Sequence, residues 1–279
     1  MNIIDAIYNL VNHPVVSLTE YSHGRNRINN VGNALEEYIK DLFTDSFDMN
    51  KEERMERLSK EFSYLGNTNN PPDMMLRSGD AIEVKKIESS TSALALNSSY
   101  PKHTLTYDNP LLSNACKRAE NWSEKDILYA IGVVKKGTDR LSHLTFVYGL
   151  DYCASEECYK NLWEKIKNGV ETIPGISFSE TKELGHINRV DPLGITYMRV
   201  RGMWGIENPL RVFDYIYHRD MSKRFSFMCI INDVKWSSFK NTDRITGIQH
   251  EGFQIKNVKI KDPDNPAKLV SAKLITFSI

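Results

Sequence analysis

Apolar positions recur at helical spacing in two early stretches. Ile3, Ile4, Ile7, Leu10 and Val11 mark a short helix within residues 1–18, stopped by Pro14. Leu35, Tyr38, Ile39 and Leu42 form the buried stripe of a stronger amphipathic helix over residues 31–43. Residues 51–60 are a charged helical stretch, and the Gly-, Asn- and Pro-rich run at 66–72 (GNTNNPP) predicts a turn. Beyond it the period changes to two. Residues 81–87 (AIEVKKI) alternate as a strand does. Residues 89–125 are polar and turn-rich, with a short helix around 111–122. Residues 127–134 and 144–150 read as central strands joined by a hairpin turn over 135–140. A helix over 155–170 carries Leu162, Trp163 and Ile166 on one side. Residues 194–203, 225–231 and 269–279 are late strands. There is no internal repeat. Helices flanking a mixed sheet make an α/β fold, with a core region over 1–175 and a further region with the late strands over 176–279.

Composition narrows the classes. The chain has 279 residues, 41% hydrophobic and 26% charged, which excludes wholesale disorder, collagen and coiled coil. No apolar run can span a bilayer, and the first residues lack the basic segment of a signal peptide. Cys116, Cys153, Cys158 and Cys229 form no C-x-x-C pair, so reduced thiols in a cytoplasm are expected. The net charge is zero, which weighs against a simple polyanion-coating protein. The charge is unevenly placed, however. Residues 1–100 hold 10 basic and 15 acidic side chains, and residues 101–279 hold 26 and 21. An acidic first part could hold a metal ion, with a basic part after it.

The informative window is PPDMMLRSGDAIEVKKI at 71–87. On a strand, residues two apart share a face, so Glu83 and Lys85 project together, away from Ile82 and Val84. A carboxylate beside an ammonium suits phosphodiester hydrolysis. The carboxylate binds Mg²⁺, and the lysine orients or deprotonates water and offsets transition-state charge. Glu-x-Lys alone is a weak signal, and Glu180-Thr-Lys182 is a second copy without apolar alternation around it. Asp73, preceded by two prolines, strengthens the first copy. A hairpin from 73–76 to 81–87 puts Asp73 on the Glu83 face only if its loop is odd. A three-residue loop over Ser78, Gly79 and Asp80, with glycine at the left-handed position, sets Asp73 opposite Lys85 and diagonal to Glu83.

This arrangement resembles the PD-(D/E)xK nuclease signature, with Pro72-Asp73 as the PD and Glu83-Val84-Lys85 as the ExK. In that superfamily an acidic residue on an early helix often completes the metal site. Glu36, at the edge of the stripe in GNALEE, is the candidate here, with Glu37 pointing further toward solvent. Further stretches, among them GNALEEYIKDLF, ALALNSSYPK, VYGLDYCASEECY and ETKELGHINRVDPLGITYMRVRGMWGIENP, resemble the NgoPII family of type II restriction endonucleases over nearly the whole chain. That resemblance implies a restriction-endonuclease-like core within 1–175 and a DNA-recognition region over 176–279. It also implies Mg²⁺-dependent cleavage of double-stranded DNA at a short palindrome (GGCC), a homodimer, and a partner DNA methyltransferase in a bacterial cytoplasm.

Candidate DNA contacts follow. Arg25, Asn26, Arg27 and Asn30 sit in a polar run directly before the Glu36 helix. Arg189 lies in a basic stretch, and Arg199 and Arg201 share one face of a late strand with Tyr197. Rival readings are a repair or junction-resolving nuclease of the same core, or a non-catalytic DNA-binding protein. Retention of Asp73, Glu83 and Lys85 together argues against the latter.

Overall fold

The computed structural model describes residues 1–19, 27–67, 70–181 and 184–279. The chain begins with helices α1 (Ile3–Asn12), α2 (Arg27–Thr44) and α3 (Lys51–Glu61). Strands β1 (Phe62–Asn67), β2 (Asn70–Leu76), β3 (Ala81–Ile87), β4 (Leu94–Asn97) and β5 (Thr104–Thr106) follow, then helix α4 (Asn114–Arg118). Strands β6 (Glu124–Val134) and β7 (Leu141–Tyr148) precede helices α5 (Gly149–Tyr152) and α6 (Glu156–Glu171). Four short strands come next: β8 (Ser177–Glu180), β9 (Gly185–Asn188), β10 (Tyr197–Val200) and β11 (Trp204–Ile206). Helix α7 (Pro209–Val212), strand β12 (Ser226–Asn232), helices α8 (Asp233–Ser238) and α9 (Asp243–Thr246), and strands β13 (Gln254–Lys261) and β14 (Leu269–Ser278) complete the order.

The central sheet is nine-stranded among the described residues, ordered β1-β2-β3-β6-β7-β12-β14-β13, with β5 also beside β6. β3 runs parallel to β6 and β7 parallel to β12, while the other pairs are antiparallel. The mixed sheet flanked by helices is the fold implied at the outset. A three-stranded sheet, β10-β9-β8, stands apart, and β11 pairs with β4.

Alternation along β3 and β6 divides the core. Ile82, Val84, Leu128 and Ala130 pack with α1 and α2 through Ile7, Leu35 and Tyr38. Ile87, Ile127, Tyr129 and Ile131 pack on the other face with Leu94, Leu105 and Phe213. The α2 stripe is as periodicity predicts: Leu35, Tyr38, Ile39 and Leu42 are fully buried. Each such aliphatic side chain contributes on the order of 2 kcal/mol. Gly132 of β6 makes room for this helix. A Cβ there would fall 2.6 Å from Leu35 Cδ2, so a side chain at this position would require Leu35 to shift.

Several boundaries differ from the pattern-based reading. Helix α1 starts at a capping box in which the Asn2 side chain accepts from the Ile4 and Asp5 amides, and it ends at Asn12, two residues before Pro14, narrower than the 1–18 window. The run read as a turn at 66–72 is largely extended, in β1 and β2. The prolines are tolerated because β2 pairs with β3 only at Met74↔Ile82 and Met75↔Ala81, so Pro71 and Pro72 need donate nothing to β3. The late strand read over 194–203 is only four residues long, Tyr197–Val200. β13 was not expected. Three lysines, Lys256, Lys259 and Lys261, interrupt its apolar pattern at the sheet edge, where charge discourages pairing with another chain.

Candidate active site

The hairpin joining β2 to β3 has the odd loop that the face argument requires, but in a different place. The loop is Arg77-Ser78-Gly79, closed by Leu76 N–H donating to Asp80 O at 2.9 Å. Ser78, not Gly79, takes the left-handed conformation, with φ 54°. Lys125 holds the loop by donating to Gly79 O at 2.6 Å, and Glu120 accepts from the Ser78 amide at 2.8 Å. The register therefore moves by two residues from the expected one. Continued one step past Met74↔Ile82, it brings Asp73 to Glu83 rather than to Lys85.

Strand pairing stops at that step. Asp73 turns its side chain inward, and Oδ2 accepts from the Val84 amide at 2.6 Å. Lys85 Nζ donates to Glu83 Oε1 at 2.5 Å. The other Glu83 oxygen, Oε2, is buried and has no hydrogen-bond partner among the described residues. Three acidic groups crowd this spot. Burial, then the charge of Glu83, pushes the Asp73 carboxyl up to about 8, with Glu36 adding to the rise. Burial raises Glu36 as well, with nearby Glu37 and Glu83 adding to the rise and Lys40 and Lys85 opposing it. Lys85 is pulled down by burial, but Glu83, Asp73 and Glu36 outweigh it, and its ammonium is held above the ordinary range.

The two acidic residues of α2 thus separate. Glu36 lies within electrostatic reach of Asp73, Glu83 and Lys85. Glu37 is committed to Lys40 at 2.5 Å and to Arg54 at 2.8 Å, tying α2 to α3. Lys86, on the opposite face of β3, lies 3.7 Å from Glu88.

Asp73, Glu83 and Lys85 line a cavity of about 770 Å³. Tyr197, Arg199 and Arg201 line the same cavity, joined by His186, which pairs with Arg199 across β9 and β10. Arg199 lies in β10 and Arg201 one residue beyond its end, and both line the cavity that Asp73, Glu83 and Lys85 line. Arg201 also donates to Ser98 Oγ at 3.3 Å. Arg189 is elsewhere: it is exposed, has φ 52°, and its side chain lies beside Gly194. Arg25, Asn26 and the side chains of Arg27 and Asn30 lie outside the described residues. In the second Glu-x-Lys copy, Glu180 pairs with Lys167 at 2.8 Å, and Lys182 lies outside the described residues. Arg219, in another basic stretch, is half-buried and donates to Ser142 O at 2.8 Å. Two cavity residues carried no local signal in the sequence. Lys102 follows a proline in a polar stretch, and Tyr129 reads as an ordinary core aromatic.

No helix among the described residues is long and apolar enough to cross a membrane. No solved structure matches the chain at a significant level. The family model described as NgoPII restriction endonuclease matches residues 1–261. A type II restriction enzyme, NgoPII of Neisseria gonorrhoeae, is 60% identical over 279 residues, covering all of both chains. With a full-length relative of that kind and a family model spanning nearly every element described above, the chain belongs to the NgoPII restriction endonuclease family and is a type II site-specific deoxyribonuclease.

Proposed function

We propose that the enzyme hydrolyses double-stranded DNA at the palindrome GGCC, with Asp73, Glu83, Lys85 and Glu36 as its catalytic group and Mg²⁺ as its cofactor. One observation carries this reading: the carboxylate–lysine wall and the Arg199–Arg201 wall face one cavity. A phosphate seated there would meet cleavage chemistry on one side and base-reading donors on the other.

The donor set suits a hard cation. Among the described residues no three His, Cys, Asp or Glu side chains gather at metal-ligand spacing. Mg²⁺ needs no such cage, because it keeps several waters and takes one or two carboxylates plus substrate phosphate oxygens. Asp73 and Glu83 would hold it, and the unpartnered Glu83 Oε2 is a donor already stripped of competing bonds. When bound, the ion polarises the scissile phosphate and acidifies water. The remaining work falls to the chain. Asp73 gives up the proton that burial favours and is held in place by the Val84 amide. Lys85 stays protonated, so it orients the attacking water and offsets charge on the phosphorane-like transition state. Glu36 adds negative charge that keeps Lys85 in that form.

The enzyme acts as a homodimer, each subunit cutting one strand of the palindrome. Arg25, Asn26, Arg27, Asn30 and Arg189 add contacts to the duplex, and a cognate methyltransferase protects the same site in a bacterial cytoplasm. The test is digestion of plasmid DNA with Mg²⁺ or EDTA, followed by sequencing of the ends. Discrete fragments ending at GGCC, lost in EDTA and lost in Lys85→Ala, are the expected result. Cleavage of branched DNA alone would favour a junction-resolving enzyme. Full cleavage by Lys85→Ala would overturn the assignment of the site.

A further inference from the structure

Lys102 is a buried cation with no assigned task. It is 4% exposed, and it lines the same cavity as Asp73, Glu83 and Lys85. Its Nζ has no hydrogen-bond partner among the described residues. Buried lysines are nearly always paired, because an unpaired ammonium away from water is costly. Neither neighbouring carboxylate hydrogen-bonds Nζ, although Glu83 Oε2 is itself without a partner among the described residues. Glu83 Oε1 accepts from Lys85, and Glu156 accepts from the Tyr100 hydroxyl and pairs with Lys160 at 3.1 Å. What remains for Nζ is the face of the Tyr100 ring, 3.6 Å from its centroid.

The backbone at Lys102 is fixed where the side chain is not. The Tyr129 hydroxyl accepts from the Lys102 amide at 2.7 Å and donates to its carbonyl at 3.3 Å. Tyr129 is the register partner of Glu83 across β3 and β6, so the anchor of Lys102 and the metal-side carboxylate belong to neighbouring strands. Beneath, Gly149 permits close approach: a Cβ there would lie 2.2 Å from Lys102 O. A four-carbon stem on a pinned Cα has the rotatable bonds to swing its ammonium from the Tyr100 ring toward the cavity that Lys102 lines.

We propose that Lys102 is a second phosphate-binding lysine of this enzyme, giving its ammonium to a non-bridging oxygen of the phosphate on which Asp73, Glu83 and Lys85 act. The inference rests on that reading of the cleavage site. Lys85 is already engaged with Glu83 and Arg201 with Ser98, so Lys102 brings charge that these interactions do not hold. Its surroundings are Glu83 from β3, Tyr129 from β6, Cys153 after α5, Glu156 and Lys160 from α6, and the Tyr100 ring. Burial brings its ammonium down to about 8 against the pull of Glu156 and Glu83. A phosphate arriving beside it would hold the proton in place.

The experiment uses the full-length protein with Lys102→Met, Lys102→Gln and Lys102→Arg. It reads melting temperature, single-turnover cleavage with Mg²⁺, and the salt dependence of binding to a GGCC duplex with Ca²⁺ in place of Mg²⁺. Lys102→Met and Lys102→Gln should melt near the wild type and cleave roughly 100-fold more slowly. They should also lose about one unit from the slope of log affinity against log salt, as when one phosphate contact is removed. Lys102→Arg should recover the slope and most of the rate. Unchanged rate and slope in the neutral variants would overturn the proposal. So would equal impairment of all three with a lowered melting temperature, or failure of all three to fold, since either assigns Lys102 to the fold. Asp73→Ala and Lys85→Ala run in parallel. If they cleave normally the underlying site is wrong, whereas if they are dead while Lys102→Met cleaves normally only this inference fails.

Discussion

Asp73 meets Val84 through its carboxylate: Oδ2 accepts the Val84 amide at 2.6 Å, where strand pairing between β2 and β3 has already ended. Val84 lies between Glu83 and Lys85, so one hydrogen bond fixes the distance between the two halves of the site.

The raised Asp73 carboxyl gives a stability signature. Its folded value of about 8 stands above the ordinary 3.8, so the folded state holds this proton more tightly than the unfolded chain. That contribution is fully present below pH 4 and is lost as pH rises toward 8. Asp73→Asn removes the titration. In EDTA the variant should therefore gain melting temperature over the wild type at pH 8 but not at pH 4, while losing cleavage. Parallel melting curves at both pH values would show that Asp73 is not held neutral.

Glu36 and Glu37 should behave differently although they adjoin on one helix. Glu36→Gln removes a charge felt by Lys85 and Asp73, and should slow cleavage while leaving the melting temperature close to the wild type. Glu37→Gln loosens the ties to Lys40 and Arg54, which are partly exposed pairs worth at most about 1 kcal/mol. It should lower stability slightly and leave the cleavage rate near normal. The opposite assignment of effects would move the site residue to Glu37.

The elements legible from sequence were those whose two faces differ. β3 alternates because Ile82 and Val84 meet α2 while Glu83 and Lys85 line the cavity, and α2 shows its stripe because one side is fully buried. Strands of three or four residues, such as β5 and β9, are too short to carry a period. The parity of the hairpin loop followed from side-chain alternation, but its register depended on which backbone pair closed it, Leu76 with Asp80. Lys102 carries no local signal because the residues that anchor its backbone, Tyr129 and Gly149, lie far along the chain.

Gly132→Ala tests the seating of α2. The added methyl would start 2.6 Å from Leu35 Cδ2 and 3.1 Å from Leu141 Cδ1, so both leucines must yield. Overpacking of this kind costs about 1–3 kcal/mol. Because Leu35 directly precedes Glu36, the shift should also slow cleavage, which a remote core substitution of equal cost would not do. Chemical denaturation and single-turnover rates of Gly132→Ala measure both. A destabilised variant with a normal rate would show that Glu36 need not be held closely.

The two arginines of the opposite wall offer the sharpest test of sequence reading. Guanine presents O6 and N7 in the major groove, and arginine is their best bidentate partner. Arg199 and Arg201 are two residues apart on an extended segment, so their Cα atoms are separated by roughly 6.5–7 Å, about the rise of two stacked base pairs. Both turn into the cavity that holds Asp73 and Glu83, so they lie on the side from which a duplex would be cut. Arg199→Ala and Arg201→Ala should each lose about 1–3 kcal/mol of discrimination at one guanine of the half-site, measured by cleavage of GGCC and its single-base variants. A phosphate contact would instead weaken all sequences alike and flatten the salt dependence of binding. His186 provides an internal control. It pairs with Arg199 across the small sheet and lines the same wall, yet a single imidazole makes no bidentate match to guanine, so His186→Ala should change preference less than Arg199→Ala. Unchanged rate and unchanged preference in both arginine variants would remove this strand from the recognition surface.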